Sequence, residues 1–324
     1  MKTKAVVFSA ANTVDLREVD LKPLGDDDVL IRTRLTSISA GTERMLLRGV
    51  MPHPMLQFPV VPGYETAGEV IDAGPAARGW IGKRVYVGGN YGFLGVNPAF
   101  GGQSAHIVAP QSHLTELGAL TDAQGVMLAL AATALHGVDQ AGLRPADSQP
   151  ARALVLGQGV VGQLAARIAK ARGAHVTVTD RIESRLALSV ADEKWLLGDA
   201  PPATNPQTPF DVLIDATGKM EAIAPFLMSV QKGGRAVLLG YYDAVHLPYM
   251  PVFLRELSLV ASNEWAPGDL ARARDLIAAG LLEVDSLITH RLSAEDAPRA
   301  FEIAFNDPAC VKLVLTWEGL GVEG

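Results

Sequence analysis

Between positions 153 and 173 the chain reads ALVLGQGVVGQLAARIAKARG, and this stretch leaves the polypeptide little freedom. Gly157, Gly159 and Gly162 follow an apolar run of strand length and open a segment with the apolar periodicity of an amphipathic helix. In a G-x-G-x-x-G turn between strand and helix, the first glycine permits the tight turn and the second lets the backbone approach a pyrophosphate. The third allows helix and strand to pack closely. The helix N-terminal amides, here around Val160 and Val161, then face the phosphates. Asp180 ends the next apolar run, eighteen positions past Gly162. A carboxylate there accepts hydrogen bonds from ribose hydroxyls and repels a 2'-phosphate, so the expected cofactor is NAD rather than NADP. Arg181, beside it, works against that preference. The alternative is a packing turn followed by a capping or solvated aspartate.

The surroundings fit a two-domain chain. At 324 residues the sequence is long for one hydrophobic core and suits two. Residues 119–285 alternate alanine-rich helical stretches with short β-branched runs, the pattern of a doubly wound parallel α/β sheet of the Rossmann type. This domain opens on TDAQGVMLALAATALHGV, a helix with Thr121 or Asp122 as cap. The segment APGDLARARDLIAAG predicts a helix near its end, with Leu270, Ala273, Ile277 and Ala278 on one face. Gly240, Tyr241 and Tyr242 follow the strand GGRAVLLG, at the carboxyl edge where such sheets bind ligands. Gly240 and Tyr241 are therefore expected at the cofactor and Tyr242 at the substrate, with a surface loop as the alternative. Residues 1–118 are a β-rich domain: in DVLIRTRLTSI, Val29, Ile31, Thr33, Leu35 and Ser37 alternate with their neighbours at the period of a strand. Residues 286–324 add a capped helix and a closing strand to this domain. The stretch 88–102, GGNYGFLGVNPAFGG, has no period and reads as a long loop.

Composition removes several classes of function. A formal net charge of -7 gives no basic footprint for nucleic acid. Cys310 is the single cysteine, which excludes an internal disulfide and every cysteine-rich zinc cluster. The start MKTKAVVF carries too short an apolar run for a signal peptide, and no stretch approaches a membrane span. A soluble cytoplasmic protein is expected.

A β-rich domain, a dinucleotide fold and a return segment together resemble the medium-chain dehydrogenase/reductase superfamily, over the whole chain. The resemblance implies a GroES-like catalytic domain beside the Rossmann domain, and a homodimer. In the zinc alcohol dehydrogenases of that superfamily, Cys-Gly-Thr/Ser-Asp and Gly-His-Glu stretches carry the catalytic metal. The matching positions here read Ala40-Gly41-Thr42-Glu43 and Gly63-Tyr64-Glu65. The third ligand would fall in MLALAATALHG, which offers only Thr133 and His136. The structural zinc lobe is replaced by the loop 88–102. No metal is expected, because alanine cannot ligate and phenol is a poor zinc ligand beside thiolate and imidazole. The stretches SISAGTERMLLRG, VPGYETAGEV, FLRELSLVASNEW and LITHRLSAEDAPRAFEIAFNDPACVKLVLTW further resemble the bacteriochlorophyllide dehydrogenases of bacteriochlorophyll biosynthesis. That narrower resemblance implies zinc-free, NAD-dependent oxidation of a 3-(1-hydroxyethyl) group to acetyl on a magnesium tetrapyrrole.

Without a metal, side chains must hold the alcohol and take its proton. Tyr64, at a former ligand position, and Thr42, at the position of the superfamily's proton-relaying hydroxyl, are the expected catalytic pair, oriented by Glu43 or Glu65. A phenol with an ordinary pKa of ~10 has to be lowered to serve as a base near neutrality. The alternative is that Tyr64 fills the volume of the missing zinc and histidine. Tyr91, Phe93 and Phe100 are candidates for stacking on a flat macrocycle, or for pinning their own loop. His136 is a further substrate candidate, or a hydrogen-bonded core histidine. Two other functions stay open: a zinc-independent quinone or enoyl reductase of the same superfamily, which commonly favours NADPH, and an NAD(P)-binding protein without turnover.

Overall fold

The structure, a computed structural model, describes residues 1–52, 56–90, 92–143, 150–198 and 208–320. The chain forms two compact units, Met1–Ala129 with Ile288–Gly324, and Leu130–Leu287. The division falls inside the helix Leu128–Gln140, beyond the expected boundary at 118/119. The reason is local packing. The short helix Asp122–Gly125 sits against the first unit's sheet, where a Cβ on Gly125 would lie 2.8 Å from Leu117 and 3.2 Å from Ala67. Thr121 begins that helix with a reciprocal cap, its hydroxyl accepting from the Gln124 amide while the Gln124 side chain accepts from the Thr121 amide.

In the first unit the strand Asp28–Ser37 organises a mainly antiparallel sheet. It pairs with Thr66–Ala73 on one side and with the closing strand Lys312–Thr316 on the other, and its first half also pairs with His106–Pro110. Its register opposes Thr36 to both Thr66 and Leu315. Three segments far apart in sequence thus begin or end together: Ser37 to Ser39, Gly63 to Glu65, and Lys312. The alternation of the strand is visible in its burial, with Val29, Ile31 and Thr33 inside and Arg32 and Arg34 outside, where both guanidiniums reach Glu69. A core of Phe8, Ile38, Leu46, Phe301, Leu313 and Trp317 packs behind this meeting point. The loop 88–102 is pinned more firmly than its sequence implies: Phe93–Leu94 and Asn97–Pro98 are short strands of the five-stranded sheet.

The second unit is a six-stranded, all-parallel sheet in the spatial order Glu193–Leu196, His175–Asp180, Arg152–Leu156, Phe210–Asp215, Val230–Leu238, Ser258–Ala261. The first-formed strand lies third, and the order reverses between Arg152–Leu156 and Phe210–Asp215. That is the topological switch point at whose carboxyl ends doubly wound sheets bind ligands. Val176, Val178, Leu154, Val155, Leu213 and Ile214 are fully buried, as expected for strands covered on both faces.

Candidate active site

In the first unit, the turn that carries Tyr64 admits only glycine before it. Gly63 has φ +95°, and a Cβ there would lie 2.5 Å from the Gln103 side chain and 3.0 Å from its backbone nitrogen. The Gln103 amide donates to the Pro62 carbonyl (2.9 Å), the Gly102 amide to that of Gly63 (2.7 Å), and the Tyr86 hydroxyl to that of Tyr64 (2.9 Å). The Tyr64 ring is half-buried and meets Phe100 edge to face at 5.1 Å. Its hydroxyl is 2.5 Å from Ser39 Oγ, and the Thr42 side chain also hydrogen-bonds it. Sequence reasoning asks for a lowered phenol pKa, and the surroundings do the opposite. Burial, then the nearby Glu65 charge, push Tyr64 well above its ordinary value, and the bonds from Ser39 and Thr42 offset this only in part. Tyr64 is a neutral phenol here, a hydrogen-bonding group rather than a resting base.

Behind the phenol lies a buried charged cluster. Glu65 is fully buried; one of its carboxylate oxygens accepts from Lys312 Nζ and from the Ser37 hydroxyl, while the other, Oε1, has no hydrogen-bond partner among the described residues. Lys312, 2% exposed, also donates to the Ile38 carbonyl at 3.1 Å. Glu43 is likewise fully buried; its Oε1 accepts from the Ser39 backbone amide at 2.8 Å and its Oε2 faces Gln103 Nε2 at 3.5 Å. Gln103 accepts from the Thr36 hydroxyl (2.5 Å), which in turn accepts from Trp317 Nε1 (2.9 Å). Burial raises the Glu43 pKa to about 8, the Ser39 amide pulls it down, and the Glu65 charge adds to the rise. Near neutrality Glu43 therefore holds a proton. Ser39, Gln103 and Lys312 were not singled out from sequence. The one available signal is a lysine inside the apolar run CVKLVLTW, which breaks a buried strand unless it is paired.

In the second unit the three glycines have separable reasons. Gly157 sits at φ +83°, and a Cβ there would approach the Thr217 methyl at 2.9 Å. A Cβ on Gly162 would strike the Gly157 carbonyl oxygen at 1.9 Å. A Cβ on Gly159 would meet nothing within 4 Å, although this residue begins the helix Val160–Ala171 and no side chain caps it. The fold accounts for the first and third glycines, whereas the second keeps open space in front of half-exposed Val160 and Val161. An uncapped helix N-terminus facing open space suits a pyrophosphate. Asp180 is buried, its carboxylate oxygens accepting from the Gln158 amide (2.6 Å) and the Ile182 amide (2.9 Å); Arg181 beside it is exposed. After the strands Phe210–Asp215 and Val230–Leu238, a Cβ on Gly240 would collide with Gly218 Cα at 2.4 Å, so these two loops touch backbone to backbone. Tyr241 is exposed, whereas the Tyr242 hydroxyl donates to Asp215, whose other oxygen accepts from Thr217 at 2.7 Å. Burial raises both Asp215 and Tyr242. Tyr242, expected at the substrate, is thus engaged in fixing the loop after the fourth strand.

Two other substrate candidates are committed elsewhere. His136 Nδ1 lies 3.4 Å from buried Asp269, which also pairs with Arg272, and Arg272 reaches Asp139, itself paired with Arg172. A histidine facing such a network is a structural partner, not a free base. Phe93 packs against Val19, Val61, Leu21, Leu30 and Val108, so its ring is spent on the core. Phe100 remains beside Tyr64. Tyr91 lies outside the described residues.

A GroES-like sheet carrying a hydroxyl cluster, and a doubly wound sheet with an open glycine turn, define a two-domain nicotinamide-dependent type of oxidoreductase. The chain belongs to the medium-chain dehydrogenase/reductase family: the family model for the alcohol dehydrogenase GroES-like domain matches residues 25–119, and that for zinc-binding dehydrogenase matches residues 160–279. It is 34% identical to the 2-desacetyl-2-hydroxyethyl bacteriochlorophyllide A dehydrogenase of Cereibacter sphaeroides, over 98% of this chain and 99% of that protein. The enzyme of the same name from Rhodobacter capsulatus is also 34% identical, over 98% and 99%. Among solved structures, a protein of Sinorhizobium meliloti described as a zinc-binding dehydrogenase and solved with NADP bound superimposes with a TM-score of 0.84 at 26% identity, covering 98% and 99% of the two chains. The resemblance read from the sequence motifs is borne out, as is the fold class.

The residues present do not fit the zinc that the family model's description implies. Ala40 has no donor atom, the Tyr64 phenol is pushed up in pKa and held by two hydroxyls, and Glu65 is taken by Lys312 and Ser37. Among the described residues no three His, Cys, Asp or Glu side chains assemble into a group that could hold a metal. A nicotinamide dinucleotide does fit: Gly159 leaves the cradle open, and Gly157, Gly162 and Asp180 shape it.

Proposed function

We propose that this protein oxidises the 3-(1-hydroxyethyl) group of a bacteriochlorophyllide to acetyl, with NAD as the hydride acceptor and without a catalytic zinc. The substrate reading is carried by 34% identity along 98% of the chain to enzymes bearing that name. The absence of zinc from the reaction is supported by the donor set around Tyr64, which offers hydroxyls where a metal site needs thiolate or imidazole. NAD is favoured because the Asp180 carboxylate, fixed by two backbone amides at the end of its strand, repels a 2'-phosphate. The NADP in the Sinorhizobium structure belongs to that protein and makes the preference worth measuring.

Oxidation removes a hydride from the carbon and a proton from its hydroxyl. The nicotinamide, when bound, supplies the hydride acceptor. Tyr64 and Thr42 hold the alcohol oxygen, and Glu43 and Glu65 orient them: Glu43 through the Ser39 amide, Glu65 through its position next to Tyr64 in the chain and its anchor on Lys312. Because Tyr64 rests as a neutral phenol, its oxygen accepts the alcohol proton only as its own proton passes to the Thr42 hydroxyl and the Thr42 proton is released to water from that partly exposed side chain.

Mixing purified protein, NAD and the hydroxyethyl bacteriochlorophyllide should shift the macrocycle absorbance in step with NADH formation. No spectral shift, with NADPH consumed against quinones, would move the assignment to the reductase branch. Stoichiometric zinc in active protein would overturn the metal-free mechanism. The same reading includes a homodimer in the cytoplasm. The second unit exposes Tyr249, Met250, Phe253, Leu254 and Leu259 beside its edge strand Ser258–Ala261, more apolar surface than a monomer usually leaves open. Light scattering that gives the mass of one chain would remove the dimer. Among the described residues no helix is long and apolar enough to cross a membrane.

A further inference from the structure

Ser39 immediately precedes the helix Ala40–Arg48 and occupies its N-cap, the position where a serine normally turns its hydroxyl back to accept from a backbone amide of the first turn. It does not do so here. No side-chain cap bond is made, the Glu43 carboxyl instead accepts from the Ser39 backbone amide, and the Ser39 hydroxyl lies 2.5 Å from the Tyr64 hydroxyl. A residue type favoured for capping has been diverted from the cap. Ser39 is also 7% exposed, so its hydroxyl has little access to water as an alternative partner.

The phenol oxygen of a neutral tyrosine can donate once and accept through its lone pairs. Ser39, at the N-cap, and Thr42, in the first turn of the helix, both hydrogen-bond it. Two of its hydrogen-bonding positions are therefore assigned by the protein, which fixes the direction of what is left. We propose that Ser39 is a positioning residue of this site: its hydroxyl locks the Tyr64 hydroxyl so that the remaining hydrogen-bonding position of that oxygen meets the hydroxyl of a secondary alcohol or the carbonyl of its ketone. The inference rests on the reading of the site as an alcohol dehydrogenase. In the oxidation direction the alcohol O–H and Ser39 donate to Tyr64 Oη while Tyr64 donates to Thr42; in reduction Thr42 donates to Tyr64 and Tyr64 to the ketone. The pair thus serves either direction without forming a tyrosinate at rest.

The test uses the full chain with Ser39→Ala and Ser39→Thr. Because the hydroxyl caps nothing, Ser39→Ala should unfold at the wild-type temperature within a few degrees. Its kcat for the hydroxyethyl bacteriochlorophyllide should fall on the order of tenfold or more, the scale of a lost proton-handling contact, with KM for NAD unchanged. Ser39→Thr, which keeps a hydroxyl, should recover most of the rate. An unchanged kcat in Ser39→Ala, or a Ser39→Thr enzyme as slow as the alanine variant although folded, overturns the proposal. A second readout needs no turnover. In protein labelled with 13C at the tyrosine Cζ, the Tyr64 resonance, assigned by its loss in Tyr64→Phe, should move in Ser39→Ala and stay in Ser39→Thr. If wild-type protein fails to oxidise the pigment, the functional reading falls and this resonance still decides the contact; an unmoved resonance in Ser39→Ala overturns the contact itself.

Discussion

Replacing Glu43 by glutamine should change how the stability of the protein depends on pH, and the sign can be worked out from the structure. Glu43 is fully buried, and its pKa rises from an ordinary 4.5 to about 8 in the folded state. Between those values the folded chain keeps a proton that the unfolded chain has lost. Stability then falls as pH rises, at about 1.4 kcal/mol per unit for one proton, and levels off once pH passes the folded pKa. Over that window the full cost is about 5 kcal/mol, and relaxation or water entry around the carboxylate brings the expected loss to about 2–4 kcal/mol. Glutamine copies the shape of the protonated acid and still accepts from the Ser39 amide, so it carries no such cost. Urea unfolding followed by circular dichroism from pH 5.5 to 9 measures the difference between the two proteins. Every other titrating group, including Asp215 with its own burial-raised pKa, is common to both and cancels. Near pH 5.5 the two should agree within about 1 kcal/mol, the range of a near-isosteric swap. By pH 8.5 the variant should be the more stable by about 2–4 kcal/mol. Parallel curves across the range would refute the argument, because they would mean that Glu43 titrates in the folded protein as it does in the unfolded one.

Other expectations follow from single contacts. Gly162→Ala forces a Cβ to within 1.9 Å of the Gly157 carbonyl and should cost about 2 kcal/mol or more of stability in thermal unfolding, whereas Gly159→Ala meets no atom within 4 Å and should fold normally yet bind NAD at least about tenfold more weakly by calorimetry. Equal behaviour of the two variants would contradict the separate roles given to these glycines. Lys312→Met leaves Glu65 buried without its cation and should destabilise by about 3–5 kcal/mol, with much of the loss recovered in Lys312→Met combined with Glu65→Gln; additive losses in a double-mutant cycle would exclude coupling between the two. Asp180→Ala should raise the NADP-to-NAD ratio of kcat/KM by about tenfold or more, at some cost in stability because the Gln158 and Ile182 amides lose an acceptor. An unchanged ratio would mean that specificity is set elsewhere.

What could be read from the sequence was the part encoded locally. The glycine turn, the alternating strand Asp28–Ser37 and the helix after Thr121 each depend on neighbours within a dozen residues, and their residue types state their conformations directly. The cluster around Tyr64 is of another kind. Ser39, Gln103 and Lys312 reach it from segments separated by dozens to hundreds of positions, brought together by the register of the central strand with the three strands it pairs with and by the bond of the Gln103 amide to the Pro62 carbonyl. No local period marks Lys312 as buried, since a lysine in an alternating strand ordinarily faces water. The direction of the Tyr64 pKa was hidden for the same reason: it depends on burial and on the Glu65 charge, both consequences of that packing. For His136 and Phe93 the sequence leaves a substrate role and a structural one open, because a lone histidine and a loop aromatic have no visible partners in sequence; Asp269 and the core around Val19 are their neighbours in space.

The charges around Tyr64 bear on how, in the proposed reaction, hydroxyls in place of thiolate and imidazole would favour loss of an alcohol proton. Two carboxylates lie beside the phenol, and left ionised both would oppose the negative charge that develops on the alcohol oxygen as its proton leaves. Each is neutralised differently. Glu65 is matched by Lys312, which reaches it from the closing strand while anchored on the Ile38 carbonyl. Among the described residues Glu43 bonds only uncharged donors, the Ser39 amide and Gln103, and burial makes it keep its proton until about pH 8. In the proposed reaction the alcohol would then meet, near neutrality, a set of uncharged hydroxyls, Tyr64 with Ser39 and Thr42, already bonded to one another. Preoriented donors of this kind stabilise developing oxyanion charge without reorganising. In the proposed reaction, Tyr64 with its hydroxyl partners therefore belongs together with Lys312 and a protonated Glu43: the hydroxyls would hold the alcohol oxygen, and the lysine and the proton would cancel the carboxylate charge that otherwise opposes its ionisation.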